Sequence, residues 1–519
     1  MIMILSFLKF SNISVALLAA ALAVQGSMIA GYAPVWKNIT DIDPSKYTHI
    51  NLAFGEPQPD GTIVFDTSFS VSEFVGRLQK AGTRAILGLG GWSGSAHFSD
   101  ILKDAAIRNK FIDEIASLVK TNHMDGVDID WITSNPCNTR NPQSDSANLL
   151  VLLRDLRSRF NSEFPQETKS IALGVGMKPP VVGEQDNDAS EYANLVDYIT
   201  VLAYDVNGSQ SSTTGPNAPL NYELGRGAQY SLISAIDNWT SAKFPAEKIL
   251  AGLAFYGRSL TAKSDMSKDS WNLYQLHEGV VPRGDDDDGL WADRHCADRK
   301  PSYSGVWSYR NMRSQKQNIL QNSDVPVLPW KRYWDSISLT PWVFDTDTKT
   351  FVSYDDPASI KAKTEYAKER GLGGVSVYDI TMDYNDELLN SVHNVIKPGG
   401  GGLQPVATST WPSSSIQASP TPSSSTFAES QTSTTISSFE SSSQLPLPSP
   451  SGSFSGGENE AMPHAGDWCN NKPSYKCLAE DGKGPNFILC AAGAWVQQQC
   501  GSGTACVQNG DYIYCDWPR

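Results

Sequence analysis

Eight short apolar runs, most followed by a stretch of helical period, constrain this chain more than any other feature of its sequence. They are rich in Val, Ile, Leu and Ala. They fall near Met28–Tyr32, His49–Gly55, Arg84–Gly91, Gly126–Trp131, Ser170–Met177, Tyr198–Asp205, Lys248–Gly257 and Gly373–Ile380. Helix-period segments between them include Val71–Ala81, Ala105–Thr121, Ser146–Glu163 and Ser231–Ala242. A strand that is apolar at nearly every residue is buried on both faces, as a parallel strand beneath helices is. Eight such units predict an α/β fold, a closed (β/α)8 TIM barrel. The gap from Tyr256 to Gly373 exceeds one helix and holds mixed signals at Trp307–Gln315 and Thr340–Tyr354. An α+β insertion of about residues 260–350 is therefore expected between strands seven and eight.

The barrel accounts for residues 27–398 of the 519. Residues 1–26 run from Lys9 into an apolar stretch, Ile13 to Val24, and end on small residues near Gly26. That is the pattern of a signal peptide, and the stretch falls short of the roughly 20 residues that span a bilayer. A soluble, secreted mature protein is expected, extracellular or associated with a cell wall. Between Trp411 and Pro450, 20 of 40 residues are Ser or Thr, a composition that cannot bury a core. Residues 399–460 thus read as an extended, O-glycosylated linker. The net charge is −15 and the sequence has no basic stripe, which argues against both nucleic acid and anionic membrane as partners.

Residues 461–519 form a short tail too small to be stable on burial alone. It holds Cys469, Cys477, Cys490, Cys500, Cys506 and Cys515. Six cysteines in a short secreted module predict three disulfides, with the pairing left open. Cys137 and Cys296, in the large domain, either pair across two loops or remain free buried thiols. The acidic run Asp285–Asp288 lacks the alternating spacing of a calcium loop and reads as a solvated surface loop. No His pair has metal-ligand spacing, so no metal and no cofactor is assigned. Asn38, Asn207 and Asn238 stand in N-x-Ser/Thr sequons, and a glycan on Asn207 would crowd the barrel mouth.

In a barrel of this kind chemistry sits where the strands end. The fourth run ends Asp125-Gly126-Val127-Asp128-Ile129-Asp130-Trp131-Ile132, and strand alternation puts Asp128, Asp130 and Ile132 on one face. Adjacent buried carboxylates repel, so at least one must share a proton or hydrogen-bond strongly. Aromatics stand at other strand ends: Tyr32 on the first run, Phe54 on the second, Trp92 after the third, Tyr204-Asp205 on the sixth, Tyr256-Gly257-Arg258 on the seventh and Tyr378 on the eighth. Rings around two or more carboxylates describe a carbohydrate cleft.

These residues resemble family 18 of the glycoside hydrolases, the chitinase family, across nearly all of residues 28–395. The motifs that carry the resemblance are the DGxDxDW run, Gly90-Gly91-Trp92, Leu202-Ala203-Tyr204-Asp205, Tyr256-Gly257-Arg258 and Ser304-Gly305-Val306-Trp307-Ser308. The tail is similar to small cysteine-rich chitin-binding modules through Ala494-Trp495-Val496, Cys500 and Gly503-Thr504-Ala505-Cys506, and Trp495 is its expected binding ring. The resemblance implies substrate-assisted retaining hydrolysis of β-1,4 N-acetylglucosamine linkages. Asp130 would orient the substrate's acetamido group, Asp128 would share a proton with Asp130, and Tyr204 and Asp205 would hold the acetamido oxygen and the sugar. Tyr32, Phe54, Trp92, Tyr256, Arg258 and Tyr378 would bind sugar.

The family's general acid is a Glu two residues past the last Asp, and here that position is Ile132. Isoleucine has no proton to give, and Thr133, Ser134 and Asn135 supply no acid. General acid assistance is worth about 10²–10⁴-fold. Gly88, Leu202, Ser376 and Tyr378 also replace the family's Ser, Met, Met and Trp. The expected function is therefore that of a monomeric pseudoenzyme that binds chitin or its oligosaccharides with hydrolysis lost or strongly impaired. An active chitinase is the alternative, and a barrel recruited to bind a protein is a third.

Overall fold

The computed structural model describes residues 27–398, apart from 66, 68, 181–187, 297–298 and 315–318. In the tail it describes 475–478, 486–491, 494–499, 505–509 and 512–516, mostly as backbone. The expected signal peptide and Ser/Thr-rich linker lie outside the described residues. No helix among those described is long and apolar enough to cross a membrane.

Eight parallel strands close on themselves: β1 (Met28–Pro34), β2 (His49–Pro57), β3 (Arg84–Gly90), β4 (Gly126–Trp131), β5 (Ser170–Val175), β6 (Tyr198–Val201), β7 (Ile249–Ala254) and β8 (Gly374–Tyr378). Each pairs with its neighbour in sequence, and β8 pairs with β1 to shut the ring. The barrel expected from the apolar runs is the one that forms.

Alternation divides each strand between two environments. On β4, Val127 and Ile129 join the apolar layer beneath the helices, while Asp128 and Asp130 take the other face. Near the bottom of the barrel, Met28, Ala30, Ala172, Tyr198 and Leu250 form a separate interior cluster. The helices complete the outer layer. In the helix Ala105–Thr121, Asp104 caps the first turn by accepting from the N–H groups of Ala106 and Ile107. Phe111, Ile112, Ile115, Ala116 and Val119 are its buried stripe. Burying one large apolar side chain of this kind contributes about 1.5–3 kcal/mol.

Two run boundaries differ from the sequence expectation. The sixth run stops as strand at Val201, and Asp205 adopts a positive φ of 56°. The seventh breaks after Ala254, and Tyr256–Thr261 starts a different sheet. Hydrophobic period cannot register such a break, because both sides of it are buried. The insertion thus begins at Tyr256. It is an antiparallel five-stranded sheet ordered Val306–Ser308, Tyr256–Thr261, Thr350–Ser353, Thr340–Asp345 and Trp330–Asp335. It has its own core, including Leu260, Met266, Trp342, Phe344 and Phe351.

The acidic run corrects a second expectation. Asp285 and Asp288 are buried rather than solvated. Asp285 Oδ2 accepts from the Ser308 N–H, the Ser308 hydroxyl and Asn311 Nδ2. Asp288 Oδ2 accepts from the Gly284 and Gly305 N–H groups. The run folds back on the start of the strand Val306–Ser308, and its carboxylates satisfy loop donors that lack a sheet partner.

Cys137 and Cys296 are joined in a disulfide, with Cα atoms 5.3 Å apart across 159 residues of sequence. The tail, described by itself, has strands Tyr475–Cys477, Asn486–Ala491 and Ala494–Gln499 in one antiparallel sheet. Ala505–Asn509 and Tyr512–Asp516 form a second. Cys477 pairs with Cys506. Partners for Cys469, Cys490, Cys500 and Cys515 and the side chain of Trp495 lie outside what is described.

Candidate functional site

The cleft is built from the carboxyl ends of the barrel strands, and its floor is the pair Asp128 and Asp130. Both are buried. The β3–β4–β5 register sets Gly88 beside Asp128 and Ala172, and Gly90 beside Asp130 and Gly174. Small neighbours are required there. A Cβ on Gly174 would stand 1.7 Å from Asp130 Oδ1.

Tyr32 on β1 bridges the pair, its hydroxyl 2.9 Å from Asp128 Oδ2 and 2.9 Å from Asp130 Oδ1. Asn51 on β2 donates Nδ2 to Asp128 Oδ2 at 2.5 Å. A phenol has one proton, so Tyr32 can donate to only one carboxyl. The arrangement is satisfied when Asp130 is protonated and donates to the Tyr32 oxygen while Tyr32 donates to Asp128. The electrostatics agree. Burial pushes the Asp128 carboxyl up to about 7, against the opposing pull of the Tyr32 hydrogen bond. Burial, then the charge of Asp128, hold Asp130 well above the carboxylate range. Asp128 Oδ1 and Asp130 Oδ2 have no partner among the described residues. A burial-raised pKa keeps Tyr32, Tyr204 and Tyr256 neutral donors.

Three of the aromatic residues expected at the strand ends converge on Tyr378. Its ring centroid lies 5.5 Å from Tyr32, 6.2 Å from Tyr204 and 6.2 Å from Tyr256. Phe54 packs 5.9 Å from Tyr32. Gly91, at φ 71°, has no room for a side chain because a Cβ would meet the Phe54 ring at 2.6 Å. Trp92, in the short turn of helix that follows, is 46% exposed at the rim. Asp205 also sits at the rim. Arg258 Nε donates to its Oδ1 at 2.7 Å and Arg258 Nη1 to the Ser304 carbonyl at 3.0 Å, tying the end of β6 to the insertion.

Ile132 follows β4, half-buried, with its backbone held at both ends. Its N–H donates to Ser95 Oγ at 2.8 Å, and its carbonyl accepts from Asn138 Nδ2 at 2.9 Å. The next turn is fastened to the insertion. Asn135 Nδ2 donates to the Trp92 carbonyl and to Asp293 Oδ2, and the Cys137–Cys296 disulfide lies two residues on. The fold brings two acids to this side that sequence reading did not associate with it, Glu56 and Asp293. Glu56 is ion-paired with Arg294, and Asp293 is buried while accepting from Asn135 and from the His295 N–H. Among the described residues no three His, Cys, Asp or Glu side chains gather as a metal site.

Sequence reading also missed Asn51, Gly174 and Ser95. A weak signal for the first two existed: Asn51 is the polar residue inside an apolar run, and Gly174 is an isolated strand glycine, which marks a close approach. Ser95 carried none, because its role depends on how the loop after β3 folds over β4.

The profile described as "Glycosyl hydrolases family 18" matches residues 28–383. A "chitinase-like effector" of Moniliophthora perniciosa is 30% identical over 72% of this chain and 86% of its own length. A protein of the same description from Moniliophthora roreri is 30% identical over 71% and 93%. Among solved structures, a chitinase from Rhizomucor miehei superposes with a TM-score of 0.65 at 29% identity, covering 71% of this chain and 99% of that one.

Proposed function

The chain belongs to family 18 of the glycosyl hydrolases, and from that premise we propose that it binds chitin chains in the barrel cleft without cleaving them appreciably. One observation carries the reading: a desolvated, hydrogen-bonded carboxylate pair at Asp128 and Asp130 is followed, two residues past Asp130, by Ile132. The names of two relatives, both chitinase-like effectors, support the loss of cleavage, and that of the third, a chitinase, supports chitin as the ligand.

In this reading the cleft retains its half of the chemistry. Asp130 accepts from or donates to the acetamido group of a bound N-acetylglucosamine unit, and Asp128 takes or returns the shared proton through Tyr32. Tyr204 and Tyr256 donate to sugar oxygens, Asp205 holds the sugar from the rim, and Tyr378 offers a ring face to its apolar side. What is missing is a proton donor for the leaving glycosidic oxygen. Glu56 and Asp293 are already committed to Arg294 and Asn135, so neither substitutes for it. Secretion and a chitin-binding tail joined through the Ser/Thr-rich segment complete the proposal, since tethering two binding modules raises avidity on an insoluble surface.

The test is hydrolysis of a soluble chitin hexamer, followed by mass spectrometry, for the wild type and Ile132→Glu side by side. Binding of the hexamer by both proteins, with cleavage only by Ile132→Glu, is expected. Efficient cleavage by the wild type would overturn the reading.

A further inference from the structure

The three N-x-Ser/Thr sequons that lie after residue 26, at Asn38, Asn207 and Asn238, are equivalent in sequence but not in the fold. Asn207 is buried, at 3% exposure. Its Nδ2 donates to the Pro216 carbonyl at 3.0 Å, and its Oδ1 accepts from the Ala228 N–H at 3.3 Å. Packing around it is close enough that a Cβ on Gly215 would lie 2.6 Å from Asn207 Cγ. Asn238 lies inside the helix Leu232–Ser241, and its Nδ2 donates to the Met177 carbonyl at 3.0 Å. A sugar on either nitrogen would leave it a single N–H and would have to fit beside the carbonyl that the nitrogen already meets. At Asn207 it would also need space that the fold does not have.

Asn38 is the opposite case. It is exposed, in the loop after β1. Among the described residues only its Oδ1 is used, accepting from the Thr40 N–H at 3.0 Å and the Thr40 hydroxyl at 2.7 Å. The loop is nonetheless held in place. Arg77 donates to the carbonyls of Ile39, Thr40 and Ile42, and Lys37 reaches Asp379, next to Tyr378 on β8.

We infer that Asn38 carries the N-linked glycan of this protein, that Asn207 and Asn238 are bare, and that the glycan stands on the rim of the cleft. The inference rests on passage through a secretory compartment. In the transfer, Asn38 Nδ2 forms a bond to the anomeric carbon of an oligosaccharide carried on a lipid pyrophosphate. The bond from that carbon to the pyrophosphate oxygen breaks, the lipid pyrophosphate leaves, and the amide gives up one proton. Attachment precedes folding, so a chain modified at Asn207 could not complete the packing around Pro216 and Ala228. Two residues from Asn38 is Trp36, 61% exposed. The sugar would therefore flank the mouth from the β1 side.

The experiment replaces residues 1–26, with their Asn12 sequon, by a secretory leader of a glycosylating yeast host, so that entry into the pathway does not depend on them. The secreted protein is treated with peptide N-glycosidase in heavy-oxygen water, digested and mapped. Conversion to labelled Asp at Asn38, with unlabelled Asn at 207 and 238, is expected. Asn38→Gln should lose the whole N-glycan mass and keep the melting temperature of the deglycosylated wild type. Label at Asn207 or Asn238, or an unlabelled Asn38, would overturn the inference. Hexamer binding is not part of this readout, so it stands or falls separately from the proposed function.

Discussion

The floor of the cleft and the turn just past it are adjacent in sequence and are held by different forces. Asp128 and Asp130 are fixed by burial and by hydrogen bonds from β1 and β2, with no covalent tie. Residues 132–138 are fixed by backbone hydrogen bonds to Ser95 and Asn138, by Asn135 and by a disulfide to the insertion. The floor carries titratable groups at a cost in desolvation. The turn carries none at the position where the family has its acid, yet it is the more securely fastened of the two. In the proposed reading, then, the missing acid leaves intact the framework that would present one, and each region can be perturbed without the other.

The largest expected effect comes from returning an acid to the turn. Ile132→Glu should raise hexamer hydrolysis by about 10²–10⁴-fold, the usual worth of general acid assistance. No gain, with binding intact, would mean that the floor no longer positions the acetamido group, and the two regions would then have failed together. Next is the covalent tie. Replacing both Cys137 and Cys296 by Ser should lower unfolding stability by about 2–5 kcal/mol in denaturant titrations. Hexamer affinity should persist, because Asp128, Asp130 and Tyr32 do not depend on the disulfide. A collapse of affinity would show that the floor depends on the turn.

The floor is tested by Gly174→Ala. Its added Cβ meets Asp130 Oδ1, and overpacking of this kind costs roughly 1–3 kcal/mol. The expected result is a lower melting temperature and weaker hexamer binding, measured by calorimetry, with the Cys137–Cys296 disulfide still formed. The smallest effect is on pH dependence. The folded-state pKa of Asp128 is raised, so its contribution to stability is full below the unfolded value. It is lost as pH rises from about 4 through about 7. Asp128→Asn cannot ionise, so wild type should lose melting temperature relative to that variant across this window. Parallel curves would show that the pair is not desolvated as described.

How much was legible in advance depended on the range over which each signal acts. The barrel strands were readable because period and burial are properties of a short run. The strand ends at Val201 and Ala254 were not, since the chain stays buried beyond both. Asp128 and Asp130 could be put on one face by alternation, whereas the Asn51 and Tyr32 hydrogen bonds that make the pair tolerable could not. Those partners lie 77 and 98 residues away and meet the pair only when β1 and β2 close the ring. The acidic run Asp285–Asp288 misled for a related reason: a carboxylate reads as solvated until a loop supplies N–H donors to it.

By itself, then, the sequence determined the repeating units, the carboxylates at the end of the fourth strand and the absence of an acid at Ile132, because each is written in residue type and spacing. The tertiary structure decided that Cys137 reaches Cys296, that Asp130 has room only because position 174 is glycine, and that Asn38 is open to solvent while Asn207 is closed. Each of those depends on which distant segments share a surface, and closure of the barrel with its insertion sets that.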